Sequence, residues 1–234
     1  MATLQNRAPR ASQPMHPADE IRTRNRAKFD GAFGGTYSYC MDRPWLGRAV
    51  GMAFWGGDSK PFYDSLRAIG QLPDGSVVVD APCGGGVAFA ALSPHQRVRY
   101  VALDLSPLML ERARRRAGMI DLTQIEFIEG DAEHIPLENG SVDLFLSGWA
   151  LHCMPHPEAA VREIARCLRR DGRLIGAMIC RGPGFRQRLF LRDGVGAFGP
   201  GGTVDDLTRW IDSAGLKRTR LEVSGAFAFF EASA

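Results

Sequence analysis

The chain has 234 residues, 45% of them hydrophobic, which suits one sizeable core with an added lid better than several domains. Its 29 basic residues against 26 acidic ones leave a net charge of only +3. That excess is spread over Arg7, Arg10, Arg22, Arg24, Arg26 and Lys28 near the start and Arg112, Arg114, Arg115 and Arg116 further on, too diffuse for the dense basic face of a nucleic-acid binder, so no nucleic-acid partner is expected.

Residues 1 to about 18 are rich in Ala, Pro, Gln and Arg without an apolar period and read as a disordered arm. Residues 19–72 follow a helical pattern with many aromatics (Phe29, Phe33, Tyr37, Tyr39, Trp45, Phe54, Trp55, Phe62, Tyr63), broken by glycines at 34, 35, 56 and 57. Two or three short helices of this kind cannot form a core alone, so they are expected to pack on the rest as a helical lid. Tyr37, Tyr39, Trp45 and Trp55 are the candidate substrate-pocket residues, because pockets for flat apolar ligands are commonly lined by aromatic rings.

After Pro73-Asp74-Gly75 short apolar runs alternate with helical stretches, the layout of βαβ units around a parallel sheet. The expected class is α/β: a Rossmann-like, seven-stranded, mostly parallel sheet with a terminal antiparallel strand and helices on both faces. Strands are placed at about 76–81, 98–104, 124–129, 142–147, 173–180, 216–223 and 226–232, the last two joined as a hairpin through Ser224-Gly225. One helix opens at Ser106-Pro107 with a capping serine and a proline in its first turn. Another begins near Pro157 and is expected to end at Asp171-Gly172. Thr203 and Asp206 announce a capped helix to about Ser213, after a Gly/Arg-rich insertion at about 181–202. Residues 73–234 thus form the expected core domain.

Chemistry concentrates where the strands end. Val77-Val78-Val79-Asp80-Ala81-Pro82-Cys83-Gly84-Gly85-Gly86 is a buried strand running into a glycine-rich turn and an apolar helix from Val87 to Leu92, where backbone comes close to a ligand and free N–H groups are on offer. Phe89 stands where a dinucleotide fingerprint needs glycine, and no Gly-Lys-Ser/Thr follows, so neither a dinucleotide nor a Walker phosphate site is expected. Tyr100-Val101-Ala102-Leu103-Asp104 ends in an acid at the spacing where nucleotide-binding α/β folds grip ribose hydroxyls. Glu129-Gly130-Asp131-Ala132-Glu133 follows the third strand, and Val142-Asp143-Leu144-Phe145 opens the fourth.

This ordered run, over about residues 75–180, resembles the class I S-adenosylmethionine (SAM)-dependent methyltransferases, in particular the small-molecule branch that includes the quinone-biosynthesis C-methyltransferases. The resemblance implies SAM as cofactor, S-adenosylhomocysteine as product and a small, aromatic or apolar acceptor methylated on O, N or C. It implies that Asp80, Ala81, Cys83, Gly84 and Gly86 wrap the methionine part, that Asp104 holds the ribose diol, and that Leu105 and Met109 line the adenine. It places Asp131 and Ala132 at the adenine edge, with the Asp131 carboxylate taking the exocyclic amine proton, and Ser147 and Trp149, flanking Gly148, near the reacting methyl group. It points to His152 as a residue facing the acceptor, with an imidazole suited to take up a proton. One position departs from the family: Pro82 replaces the first glycine of the loop and removes an N–H.

Other enzymes of the class methylate nucleic acid or protein. The Asn/Asp-Pro-Pro-Tyr/Phe tetrapeptide of amino-methylating nucleic-acid enzymes is missing at Ser147-Gly148-Trp149-Ala150, which argues for a small molecule. A SAM-binding protein without catalysis is the other alternative, and Pro82 is the feature that keeps it open. Five scattered cysteines (Cys40, Cys83, Cys153, Cys167, Cys180) without a C-x-x-C pair argue against a disulfide framework or a zinc site, so no metal is expected. With neither a signal-peptide h-region nor an apolar run of membrane-span length, the expectation is a cytoplasmic monomer or homodimer.

Overall fold

Seven strands, β1 (Val77–Asp80), β2 (Arg99–Asp104), β3 (Ile125–Glu129), β4 (Val142–Gly148), β5 (Leu168–Ile179), β6 (Lys217–Ser224) and β7 (Phe227–Ser233), form one sheet in the order β3-β2-β1-β4-β5-β7-β6. The computed structural model describes residues 15–190 and 199–234. Most of the 1–18 arm and residues 191–198 of the expected insertion therefore lie outside the described residues. β1 to β5 pair in parallel, while β7 pairs antiparallel with both β5 and β6. The antiparallel hairpin expected from Ser224-Gly225 thus closes the sheet, with β7 inserted between β5 and β6.

Helices α1 (Pro17–Asp30), α2 (Ala32–Met41), α3 (Pro44–Val50) and α4 (Lys60–Ser65) precede the sheet, with a π-helical turn at Gly51–Trp55 and a 3-10 turn at Leu66–Gln71. This is more segmented than two or three helices. Pro44 holds Arg43 extended and starts a new helix, and Gly56 ends the π turn in the left-handed region at φ 66°. Within the sheet region lie α5 (Pro107–Met119), α6 (Pro157–Cys167), the short α7 (Phe185–Phe190) and α8 (Val204–Ser213). The Ser106 hydroxyl caps α5 by accepting from the Met109 N–H at 3.0 Å, and Thr203 and Asp206 form the reciprocal capping box of α8.

Two expectations are corrected. Val87–Ala91 is a single 3-10 turn, because Leu92 is already extended ahead of Ser93-Pro94. α6 stops at Cys167 instead of running to Gly172, because Leu168 pairs with Val142 as the first residue of β5. Asp171, at φ 63°, takes the left-handed position within β5, where its register on β4 shifts.

Alternation along the buried strands divides the core by sheet face. Val79, Val101, Leu103 and Phe145 pack with Val161 and Ile164 of α6 and Leu207 and Ile211 of α8. Val78, Tyr100, Ala102, Leu144 and Leu146 pack with Leu110 and Ala113 of α5 and with Phe62, Leu66 and Ile69 before the sheet. Between β1 and β4 the strand order reverses, and in open α/β sheets ligands bind outside the carboxyl ends of the strands at such a point. Among the described residues no helix is long and apolar enough to cross a membrane.

Candidate active site

A cavity of about 140 Å³ opens at that switch point. Its floor is Asp80, Pro82, Cys83, Gly84 and Gly85 after β1, Asp104, Leu105 and Met109 after β2, Gly130, Asp131 and Ala132 after β3, and Gly148, Trp149 and Ala150 after β4. The roof comes from the helical layer. Arg22, Asn25, Arg26 and Phe29 project from one face of α1 at i, i+3, i+4 and i+7, joined by Tyr37, Ser38 and Phe62.

The glycine loop is held by the strands beside it. Cys83 donates its N–H to the Leu103 carbonyl at 2.8 Å, and Gly84 donates to the Asp104 carboxylate at 2.8 Å. The other Asp104 oxygen accepts from the Ser106 N–H at 2.9 Å, so one acid joins the loop to the start of α5. The Ala81-Pro82 peptide is cis. Gly84 sits at φ 54° with open space where a Cβ would stand, so its side faces the cavity. At Gly86, φ is 81° and a Cβ would meet the Phe89 ring at 2.4 Å.

Two buried carboxylates set the electrostatics. Asp80 accepts from the Tyr100 hydroxyl at 2.9 Å, yet burial pushes its carboxyl up to about 7. Burial likewise raises Asp104 to about 6, opposed by its backbone N–H donors. A cationic ligand or one presenting hydroxyl donors would relieve both, so the pair fits a sulfonium nucleoside. Burial also raises the Tyr37 hydroxyl and lifts the Cys153 thiol to about 11, which leaves the thiol protonated and a poor nucleophile.

Trp149 forms the inner wall. Its backbone is in the left-handed region at φ 57°, strained for a bulky residue, and its N–H donates to the Ala177 carbonyl at 2.7 Å. The ring meets Phe62, Phe227 and Phe229 edge-on, with centroids 5.5, 4.7 and 5.9 Å away. Its indole N–H is buried without a partner.

Of the residues proposed from sequence, Asp80, Cys83, Gly84, Asp104, Leu105, Met109, Asp131, Ala132, Trp149 and Tyr37 come together around the cavity. Others do not line it. Ala81, in the turn after β1, and Ser147, in β4, are fully buried, and Gly86 packs on Phe89. Tyr39 and Trp45 point outward, Tyr39 under the Arg43 guanidinium, because helical alternation sends Tyr37 and Ser38 inward and Tyr39 out. Trp55 packs in the core beside Phe227 and accepts the Ala226 N–H on its carbonyl.

His152 is 2% exposed and does not line the cavity; its Nδ1 accepts from the Ile179 N–H at 3.2 Å. Burial pulls its pKa down to about 3, so the ring is a packing group that satisfies the end of β5, not a base near neutrality. The Asp131 carboxylate is already engaged, by Arg22 Nε at 2.6 Å and the Glu133 N–H at 2.9 Å. It thus holds α1, and each oxygen keeps a further lone pair facing the cavity edge. Sequence reasoning misses Arg22, Asn25, Arg26 and Phe29: their one-face spacing is legible, but the arginines read as part of a diffuse basic excess and Phe29 as helix packing.

A family model described as a methyltransferase domain matches residues 79–176. The chain is 35% identical over 151 residues to an uncharacterized chloroplastic methyltransferase of Arabidopsis thaliana, covering 62% of this chain and 42% of that one. It is 34% identical over 101 residues to the ubiquinone/menaquinone biosynthesis C-methyltransferase UbiE of Bartonella henselae, covering 42% and 39%. The chain thus spans less than half the length of these curated relatives. Among solved structures, a putative methyltransferase complexed with the Haloferax volcanii Trm112 activator superposes with a TM-score of 0.70 at 20% identity, over 90% of this chain and 97% of that one. Motif order, strand order and family match agree on a methyltransferase domain at residues 79–176, similar to the class I SAM-dependent methyltransferases.

Proposed function

We propose that the chain transfers a methyl group from SAM to an O, N or C atom of a small aromatic or apolar acceptor. The observation that carries this reading is the single cavity that unites a ribose-competent acid, Asp104, and an open glycine loop with an aromatic wall of Phe29, Tyr37, Phe62 and Trp149. SAM supplies, when bound, a methyl group activated on a sulfonium.

Asp104 would hold the ribose hydroxyls, the Cys83–Gly85 loop the methionine part, and Leu105 and Met109 the adenine face. The aromatic wall excludes water and accommodates a flat acceptor; a quinone-biosynthesis C-methyltransferase is among the relatives. None of the imidazoles is placed as a base, so the chain's contribution is alignment, worth several kcal/mol on its own for a displacement of this kind.

Calorimetric titration of SAM and S-adenosylhomocysteine into wild type and Asp104→Ala tests the cofactor assignment. Removing a buried carboxylate that takes two hydroxyl donors is expected to weaken binding by roughly 30-fold or more. Absence of binding to wild type would overturn the reading, whereas binding without methyl transfer to any quinone-like or phenolic acceptor would favour a non-catalytic SAM protein.

A further inference from the structure

Four tyrosines stand in the chain, and one of them, Tyr39, points outward. Of the three turned inward, two use their hydroxyls within the fold: Tyr63 donates to the Met41 carbonyl at 3.0 Å and Tyr100 to the Asp80 carboxylate at 2.9 Å. A buried phenol ordinarily has such a partner, because an unpaired hydroxyl away from water costs free energy. Tyr37 is the exception. It lines the cavity, and among the described residues its hydroxyl has no hydrogen-bond partner. Nor is that oxygen sealed off by protein, so it opens on the cavity.

The ring is held where it stands. It stacks on Phe33 with centroids 6.1 Å apart and meets Phe29 edge-on at 5.7 Å. Gly34, three residues earlier, lies so close to the Phe29 carbonyl that a Cβ would stand 1.9 Å from its oxygen, which keeps the start of α2 against the end of α1. Burial pushes the Tyr37 hydroxyl above its ordinary range, and the Cys153 thiol and the Asp104 and Asp80 carboxylates act in the same direction, so it keeps its proton and serves as a donor. The same two carboxylates disfavour an anion as its partner. In the reading above, the ribose, the methionine part and the adenine of SAM are met by Asp104, the Cys83–Gly85 loop, Leu105 and Met109. The donor on the aromatic wall is left for the second ligand.

We infer that the Tyr37 hydroxyl orients the methyl acceptor by donating a hydrogen bond to an uncharged oxygen on it. The inference rests on the methyltransferase reading and narrows its substrate class to neutral oxygenated aromatics, phenols and aryl carbonyls among them. A site with a fixed, otherwise unpaired donor discriminates strongly against an analogue that lacks the oxygen, because the donor is then buried unpaired.

The test is NMR titration of phenol, toluene and benzoate, three flat rings of similar size, into the full chain saturated with S-adenosylhomocysteine. Wild type, Tyr37→Phe and Tyr63→Phe are compared. Wild type is expected to bind phenol about ten-fold more tightly than toluene, and benzoate no more tightly than toluene. Tyr37→Phe should bring phenol down to the level of toluene and melt at or above the wild-type temperature, since it removes an unpaired hydroxyl and keeps the ring. Tyr63→Phe breaks a bond inside the fold, so it should melt lower and keep the preference for phenol. A wild type without that preference, a preference that survives in Tyr37→Phe, or benzoate binding more tightly than phenol overturns the inference. So does a Tyr37→Phe variant that loses affinity for S-adenosylhomocysteine, which would assign the hydroxyl to the cofactor, or one that melts lower than wild type, which would assign it to the fold. A wild type that takes up no S-adenosylhomocysteine, seen before any aromatic is added, overturns the methyltransferase reading and this inference with it.

Discussion

Arg22, in the first helix, donates Nε to Asp131 at 2.6 Å and Nη2 to Glu133 at 2.6 Å, and so ties the roof of the cavity to the loop after β3. The Glu133 side chain is 2% exposed and is held as well by the His156 N–H and ring. Around this tie, Asn25 donates to the Cys153 carbonyl at 2.5 Å, Ser106 donates to Asp30 at 2.5 Å, and Arg112 donates to the Phe29 carbonyl at 3.0 Å. Replacing Arg22 by Ala leaves a buried carboxylate short of its cation, a change expected to cost about 1–3 kcal/mol. Thermal melting should show the loss, and stopped-flow displacement should show faster cofactor dissociation from the variant. A variant that melts like wild type and releases cofactor at the same rate would show that α1 does not control the site.

Cofactor affinity should depend on pH through Asp80 and Asp104. Their folded pKa values, about 7 and about 6, lie above the ordinary carboxylate range, so the fold holds these protons more tightly than the unfolded chain does. The stability they contribute is complete below about pH 4 and is lost as pH rises through 6 to 7. Binding a cation and hydroxyl donors favours the ionised carboxylates, so SAM should bind more tightly at pH 8 than at pH 5 and release protons at pH 6. Calorimetry in two buffers of different ionisation enthalpy measures that release. Asp80→Asn, which keeps an acceptor for the Tyr100 hydroxyl, should raise the melting temperature at pH 8 and leave it unchanged at pH 4.

Gly86→Ala forces a side chain into the left-handed region and against the Phe89 ring. The two effects together are expected to cost about 2–5 kcal/mol, read as a fall in denaturation midpoint in urea. Gly84→Ala, equally left-handed but with open space for its Cβ, should cost less, about 1–2 kcal/mol.

His152→Ala should reduce stability, not reshape the chemistry. The Ile179 N–H loses its acceptor, a cost of about 1–3 kcal/mol. Per folded molecule, the pH profile of methyl transfer should stay that of wild type. A profile that loses a limb in the variant would restore the imidazole as a base.

The strands were legible within a residue or two, except the start of β5, because runs such as Val77-Val78-Val79-Asp80 are buried on both faces and end in Pro or Gly. The start of β5 was hidden by Asp171-Gly172, which resembles a helix end and lies inside the strand instead. Residues proposed at the strand ends largely met at the cavity, since the topology alone fixes where those ends converge. The helical layer was harder to read. Aromatic content gave no means of telling Tyr37, turned inward, from Tyr39, two residues on and turned out. Nor did the charge of Arg22 and Arg26 suggest that they face a cavity, because their acidic partners lie about 100 residues away in the chain.

The insertion of β7 between β5 and β6 bears on how the site comes into being. Trp149 leans on Phe227 and Phe229, and β5 finds its outer neighbour only in that strand. A nascent chain that has already formed its parallel half still lacks this wall until residues 227–229 have left the ribosome. Ligand competence is therefore a late, non-local event in folding, and contacts of that sequence separation slow it. Pulse-labelled chains should become protease-resistant in the parallel half before they can retain cofactor.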